Sequence, residues 1–417
     1  MDIYKYPVKY FCGPNLLRFT KELIGNNMSL FGKRFPITTP ITGETGIDGV
    51  LLDFNCGLRL QIPEGNWHVQ INDAESELNF LDEDISGVTL ISMEKFYIEW
   101  EIALWLDGKP MFYHRLDPTN QKVHFMCSPI VPVIGDNLIF LTYIEAFRHK
   151  FDCDASLTIP NALHCLVEQY YPEIRLSETL PEDSYACYFM MTAVNMPIGA
   201  TEESKNAPLL RAGHAILRCL EEPPKIIFHP TEPRSIKEPY VCIGAQASTP
   251  AKGWLNPDGW NRVVEYLKSI GYRVLCIDRN RIVSEFGNTI EMPAGAEDFT
   301  GNYTLLDRVN QLAYADFFIG LGSGLSWLAW AVDIPIVLIS GISERWCEFN
   351  TPYRINNPLV CHGCFNVVAH HRTMNFCPLY KDTDRAYECS KKISARQVIN
   401  AINRLIADHN LLEGSEG

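Results

Sequence analysis

Cys361, Cys364, Cys377 and Cys389 stand at spacings that suit one metal ion. Two residues separate the first pair, so a single turn can aim both sulfurs at one centre. Twelve and then eleven further residues can return two more thiolates to complete a tetrahedron. Tetrahedral sulfur suits zinc or iron, and spacing does not choose between them. His362, His370 and His371 lie in the same segment, but four cysteines already suffice. A closed four-thiolate sphere leaves no position for a substrate, so this metal would organise the chain rather than react. A redox role for Cys361 and Cys364 lacks the strand-to-helix setting of thioredoxin-like motifs.

Three other stretches can carry chemistry. In STPAKGW, residues 248–254, the hydroxyls of Ser248 and Thr249 and exposed backbone amides can donate to phosphate oxygens, while Lys252 supplies a point charge. The bland alternative is a solvated loop with a surface lysine. In GLGSGLSW, residues 320–327, the glycines admit a ligand close to the backbone, and the following helix start presents unpaired amides and partial positive charge. Gly322, Ser323, Gly324 and Ser326 are the candidate contacts. A tight strand-to-helix packing turn is the competing reading. In VIGDNL, Asp136 can serve as a general base for an acceptor hydroxyl, although an Asp at this place also suits a helix cap.

These residues need scaffolds that the apolar patterning supplies. Residues 1–120 carry short β-prone pieces, including GVLLDFN, LRLQIP and NWHVQIN, and Asp107-Gly108 marks a hairpin; this predicts an all-β, barrel-like domain. Residues 121–225 switch to strand, turn and helix, with Phe140, Ile144, Phe147 and Phe151 at helical spacing, and APLLRAGHAILRCL reads as a further helix. Residues 226–355 repeat the alternation from YVCIGAQ to IPIVLISG, which predicts a doubly wound, mostly parallel sheet. Two such α/β Rossmann-like lobes with a cleft between them describe the glycosyltransferase B fold. Residues 356–392 form the four-cysteine finger, and 393–417 close the chain as an amphipathic helix.

With 417 residues there is room for several cores, and 47% hydrophobic against 21% charged residues is an ordinary globular balance. The formal charge of -14 opposes nonspecific binding to nucleic acid or anionic membrane. The start, MDIYKYPVKYF, lacks a leader-like basic and apolar pair of regions, and no run is long enough to span a bilayer. A cytoplasmic protein is expected, with reduced thiols. Cys127, Cys165, Cys187, Cys219, Cys242 and Cys276 sit in apolar runs and read as small buried hydrophobes.

STPAKGWLNPDGW, FFIGLGSGLSWLAWAVDIPIVLISG and the C-x-x-C…C…C segment, in this order, resemble the bacterial autotransporter heptosyltransferase family. That resemblance implies a glycosyltransferase B enzyme that transfers heptose from ADP-heptose to serine hydroxyls of autotransporter adhesins. It further implies a ring-shaped dodecamer with an N-terminal β-barrel, a hairpin thumb and a structural iron bound by Cys361, Cys364, Cys377 and Cys389. Carried onto this chain, the family's catalytic aspartate matches Asp136, its phosphate-contacting lysine matches Lys252, and its donor loop matches Gly322, Ser323 and Gly324. Asn137 departs from the β-branched residue common after Gly-Asp, which bears on the acceptor surface. The implied chemistry requires no catalytic divalent metal. A lipopolysaccharide-type heptosyltransferase and a noncatalytic sugar-nucleotide-binding scaffold are the competing readings.

Overall fold

A computed structural model describes residues 6–11, 40–127, 133–190, 208–220, 225, 227–285, 288–367 and 376–411. The chain forms two compact units. One comprises Met1–Val131, Tyr143–Ser204 and Arg211–Pro223; the other comprises Pro132–Thr142, Lys205–Leu210 and Pro224–Gly417.

In the first unit, an eight-stranded sheet runs in the order Val8–Phe11, Val88–Ser92, Arg59–Ile62, Leu51–Asn55, Ala186–Phe189, Lys122–Met126, Asp154–Thr158, Arg175–Leu176. Strand Leu51–Asn55 lies parallel to Ala186–Phe189, pairing Phe54 with Ala186 and Asn55 with Cys187. One sheet therefore crosses the boundary expected at residue 120. Period-2 patterning locates strands but not their long-range neighbours. A second, four-stranded antiparallel sheet holds the hairpin Trp100–Leu106 and Lys109–Arg115. Its turn residues Asp107 and Gly108 have φ of 50° and 75°, the backbone that suits a tight hairpin.

The helix Ile134–Phe151 starts earlier than the sequence pattern suggests, so Asp136 lies in its first turn. Phe140, Ile144 and Phe147 are buried as expected. The expected helix over residues 207–220 is instead a turn of 3-10 helix, Leu209–Arg211, and one α-turn, His214–Leu217. Gly213 lies between them against the Tyr143 ring, which a methyl at Gly213 would strike at 2.1 Å. Of the cysteines read as buried, Cys165 and Cys219 are only partly so.

The second unit is built on a six-stranded sheet in the order Glu297–Asp298, Arg273–Cys276, Tyr240–Ile243, Phe318–Leu321, Ile336–Ile339, Arg354–Ile355, parallel throughout. Tyr240–Ile243, Phe318–Leu321 and Ile336–Ile339 are buried at every position, as parallel strands covered on both faces must be. The chain winds outward from Tyr240–Ile243 on one side, then resumes at Phe318–Leu321 on the other. The carboxyl ends of these two strands form the topological switch point, where open α/β sheets hold ligands. The terminal helix Ala395–Asp408 starts at a Ser394–Gln397 capping box and covers the sheet with Val398, Ile402 and Leu405. Among the described residues no helix is long and apolar enough to cross a membrane.

Candidate functional site

The loop leaving Tyr240–Ile243 is pinned at its base. Ala245 and Gln246 donate their backbone N–H groups to Asp278 Oδ2 and Oδ1, at 2.8 and 3.2 Å. Downstream, the Lys252 N–H reaches the Thr249 carbonyl at 3.1 Å and closes the short 3-10 turn Pro250–Lys252. Ser248 is exposed and Lys252 half-buried; among the described residues no carboxylate pairs with Lys252. The Thr249 hydroxyl is buried and has no hydrogen-bond partner among the described residues. Such a group calls for a ligand or water.

On the neighbouring strand, Phe318–Leu321 turns into the helix Gly324–Val332 through Gly322 and Ser323. Ser323 is the N-cap, yet its side chain makes no capping bond, so the first helical amides are not satisfied by it. Ser326 behaves differently from the expected donor contact. It is fully buried, and its hydroxyl donates to the Leu321 carbonyl at 2.5 Å, which fastens the turn from within. Both glycines are required by close approach. A methyl at Gly322 would lie 2.4 Å from Glu348 Oε1, and one at Gly324 would lie 2.8 Å from Ile134 Cβ. Behind the turn, Glu348 is ion-paired with buried Arg354 and accepts a hydrogen bond from Ser343 Oγ at 2.7 Å.

The contact of Gly324 with Ile134 brings in Asp136. The first turns of Ile134–Phe151 belong to the second unit, and Gly135 lies against Trp327, whose Cδ1 a methyl would approach to 2.6 Å. Each helix start thus offers a glycine to a side chain of the other. Asp136, half-buried, follows directly on that contact in the first turn of the helix.

Asp278 and the Glu348–Arg354 pair were missed in the sequence, although Asp278 sits where a buried strand run ends, the same signal that singles out the glycine turn. Burial pushes the Asp278 carboxyl up to about 6, against the opposing pull of the Ala245 and Gln246 amides. A raised folded pKa contributes stability that is present below the unfolded value near 3.8 and is lost as pH rises through about 6. A displacement of this size corresponds to about 3 kcal/mol. Denaturant titrations of the wild type and Asp278→Asn should therefore diverge in slope across this window, the wild type losing relative stability as pH rises. Parallel profiles would contradict the assignment.

Cys361, Cys364, Cys377 and Cys389 line one cavity of about 10 Å³, room for a single ion and too small for a sugar, with Tyr380, Arg385 and Glu388 also at its wall. Burial first, then mutual repulsion, raises the Cys364 thiol to about 11 and the Cys389 thiol to about 12. Burial also raises Cys361, while the Arg385 guanidinium acts the other way. Burial first, and neighbouring thiolate charge after it, makes Cys361, Cys364 and Cys389 resist ionisation, and a cation bound among them would offset both. Among the described residues, however, no group of three or more His, Cys, Asp or Glu is drawn into metal-holding geometry. His362 Nδ1 lies 2.8 Å from the Val360 carbonyl, and His370 and His371 fall outside the described residues.

Residues 46–108 match the model of the N-terminal domain of glycosyltransferase TibC, and residues 218–356 match glycosyltransferase family 9 (heptosyltransferase). The chain is 38% identical to the autotransporter heptosyltransferase BAHTCr of Citrobacter rodentium over 89% of its length and 93% of that protein. It is 36% identical to the autotransporter heptosyltransferase TibC of Escherichia coli, over 91% of its length and 95% of that protein. The crystal structure of TibC, a dodecameric iron-containing heptosyltransferase in complex with ADP-D-beta-D-heptose, superposes with a TM-score of 0.83 at 35% identity, covering 89% of this chain and all of that one.

Proposed function

The chain belongs to the autotransporter heptosyltransferase family, and from that premise we propose that it transfers heptose from ADP-heptose to serine hydroxyls of an autotransporter adhesin, with Asp136 as general base. The observation that carries the assignment of Asp136 is the paired contact of Gly135 with Trp327 and of Ile134 with Gly324, which sets its helix start beside the glycine turn. Asp136 takes the proton from the serine Oγ, and the oxygen attacks the anomeric carbon as its bond to the diphosphate breaks. Attack from the face opposite ADP inverts that centre.

Lys252 and the amides of Gly322–Gly324 neutralise the departing diphosphate, with Ser248, Thr249 and Ser323 as further donors. Neutralisation is assigned to these groups, so no divalent metal is given a part in the transfer. Ser326 serves by holding the turn. The four-cysteine cavity is the place for an iron of the kind that TibC contains, with zinc as the alternative. Bound there, the ion would staple the finger by tetrahedral thiolate ligation. A dodecamer like that of TibC, working in the cytoplasm before adhesin export, completes the reading.

Incubation with ADP-heptose and an adhesin fragment, followed by intact-mass analysis, tests it. A heptosyl mass gain on the protein is expected. A gain on glycolipid alone would point to a lipopolysaccharide-type enzyme, and donor binding without turnover to a scaffold.

A further inference from the structure

We infer that Ser390, next to Cys389, is a positioning residue for the Lys252 loop, so that the cysteine finger sets the affinity of the nucleotide site. The inference rests on the reading that Lys252 holds the donor diphosphate. Four consecutive residues after Lys252 are each hydrogen-bonded to the stretch 390–393. The Ser390 hydroxyl donates to the Gly253 carbonyl and accepts the Leu255 N–H at 2.7 Å. Trp254 Nε1 donates to the Ile393 carbonyl at 2.9 Å, and Asn256 Nδ2 to the Lys391 carbonyl at 3.1 Å.

The residue before Lys252 is held by the finger as well. Ala251 packs with Ile342 and Cys364 in a small apolar cluster, with Phe365 and Tyr387 against it. The finger is in turn fastened to the loop after Ile336–Ile339: Gly363 N–H reaches the Gly341 carbonyl at 3.1 Å, and Phe365 N–H the Ile342 carbonyl at 2.9 Å. Gly341 has no room for a side chain, since a methyl there would meet the Cys389 carbonyl oxygen at 2.4 Å. Lys252 is therefore flanked on both sides by residues fixed to cysteine-bearing turns. Ser390, buried at 3% exposure, is the side chain that joins the two segments by both donating and accepting.

A loop held in its binding geometry before the ligand arrives spends less of the interaction on ordering. Loosening it should weaken binding without altering the reacting groups. Removing Ser390 Oγ leaves the buried Gly253 carbonyl and the part-buried Leu255 N–H without that partner, and the ordering the two bonds secured then falls on the binding step, a roughly tenfold loss in affinity.

The test uses the full-length protein with ADP as the probe, read by calorimetry and by amide exchange over residues 250–256. Ser390→Ala should weaken ADP roughly tenfold, raise the donor KM with kcat held within about twofold, and speed exchange in the loop; Ser390→Thr should restore all three. A folded Ser390→Ala protein with unchanged ADP affinity and exchange would overturn the inference. Asn256→Ala removes only the outermost link and should shift affinity in the same direction; where Ser390→Ala does not fold, unchanged affinity in Asn256→Ala overturns the inference instead. Lys252→Ala separates the two readings. If it leaves ADP binding intact, the diphosphate assignment fails; if it weakens ADP while the finger variants do not, only the positioning role fails.

Discussion

Asp136→Asn is expected to lower kcat for adhesin heptosylation by about 10²- to 10⁴-fold, the usual contribution of a positioned general base. The substitution is isosteric and leaves Gly135 against Trp327, so the glycine turn keeps its support. An acidic residue in the first turn of Ile134–Phe151 also interacts favourably with the helix amides, at about 0.3–1 kcal/mol. That loss is too small to unfold the protein, and the thermal midpoint should move by only a few degrees. Steady-state transfer, ADP calorimetry and a thermal melt on one preparation separate the possibilities. Near-normal transfer by the folded variant would remove Asp136 from the base role. A parallel loss of ADP affinity would make it a donor contact instead.

The parts of this molecule legible in its sequence are those governed by local pattern. Tyr240–Ile243, Phe318–Leu321 and Ile336–Ile339 are short, unbroken apolar runs because both faces are covered, and the turns that follow them stand out by their glycines, hydroxyls and lysine. The direction of a side chain is less legible. Ser326 reads as a phosphate donor, yet its hydroxyl turns inward to Leu321. Gly135 reads as a turn former and so delays the expected start of the helix, whereas its bare Cα is required by the Trp327 ring. A local signal can mark a residue, as the end of a strand run marks Asp278, but it does not name a partner distant in sequence. Asp278 meets Ala245 across 33 positions and Ser390 meets Leu255 across 135, and neither residue belongs to a motif. The same holds for the sheet that joins Leu51–Asn55 to Ala186–Phe189.

Cys361→Ser should abolish metal binding and loosen residues 361–389, because a serine hydroxyl does not replace a thiolate in a sulfur-selective site. Elemental analysis of the wild type should give iron or zinc at about one equivalent per chain, the capacity of the cavity that the four cysteines line. The variant should hold almost none. Filling the cavity requires its thiols to ionise against burial and one another's charge, which raises Cys364 to about 11 and Cys389 to about 12, so metal uptake releases protons and weakens as pH falls. Arg385, held by Glu388 and stacked on Tyr380 at the cavity wall, favours the ionised state. Cys165→Ser is the control, since Cys165 lies in the other unit and should leave metal content unchanged. Limited proteolysis of the two variants should differ in the finger alone, and full metal with unchanged protease resistance in Cys361→Ser would defeat the site. The consequence reaches beyond folding, since Cys364 packs on Ala251 and Cys389 adjoins Ser390. A finger that has lost its ion should release the Lys252 loop, and ADP affinity should fall with metal content rather than independently of it.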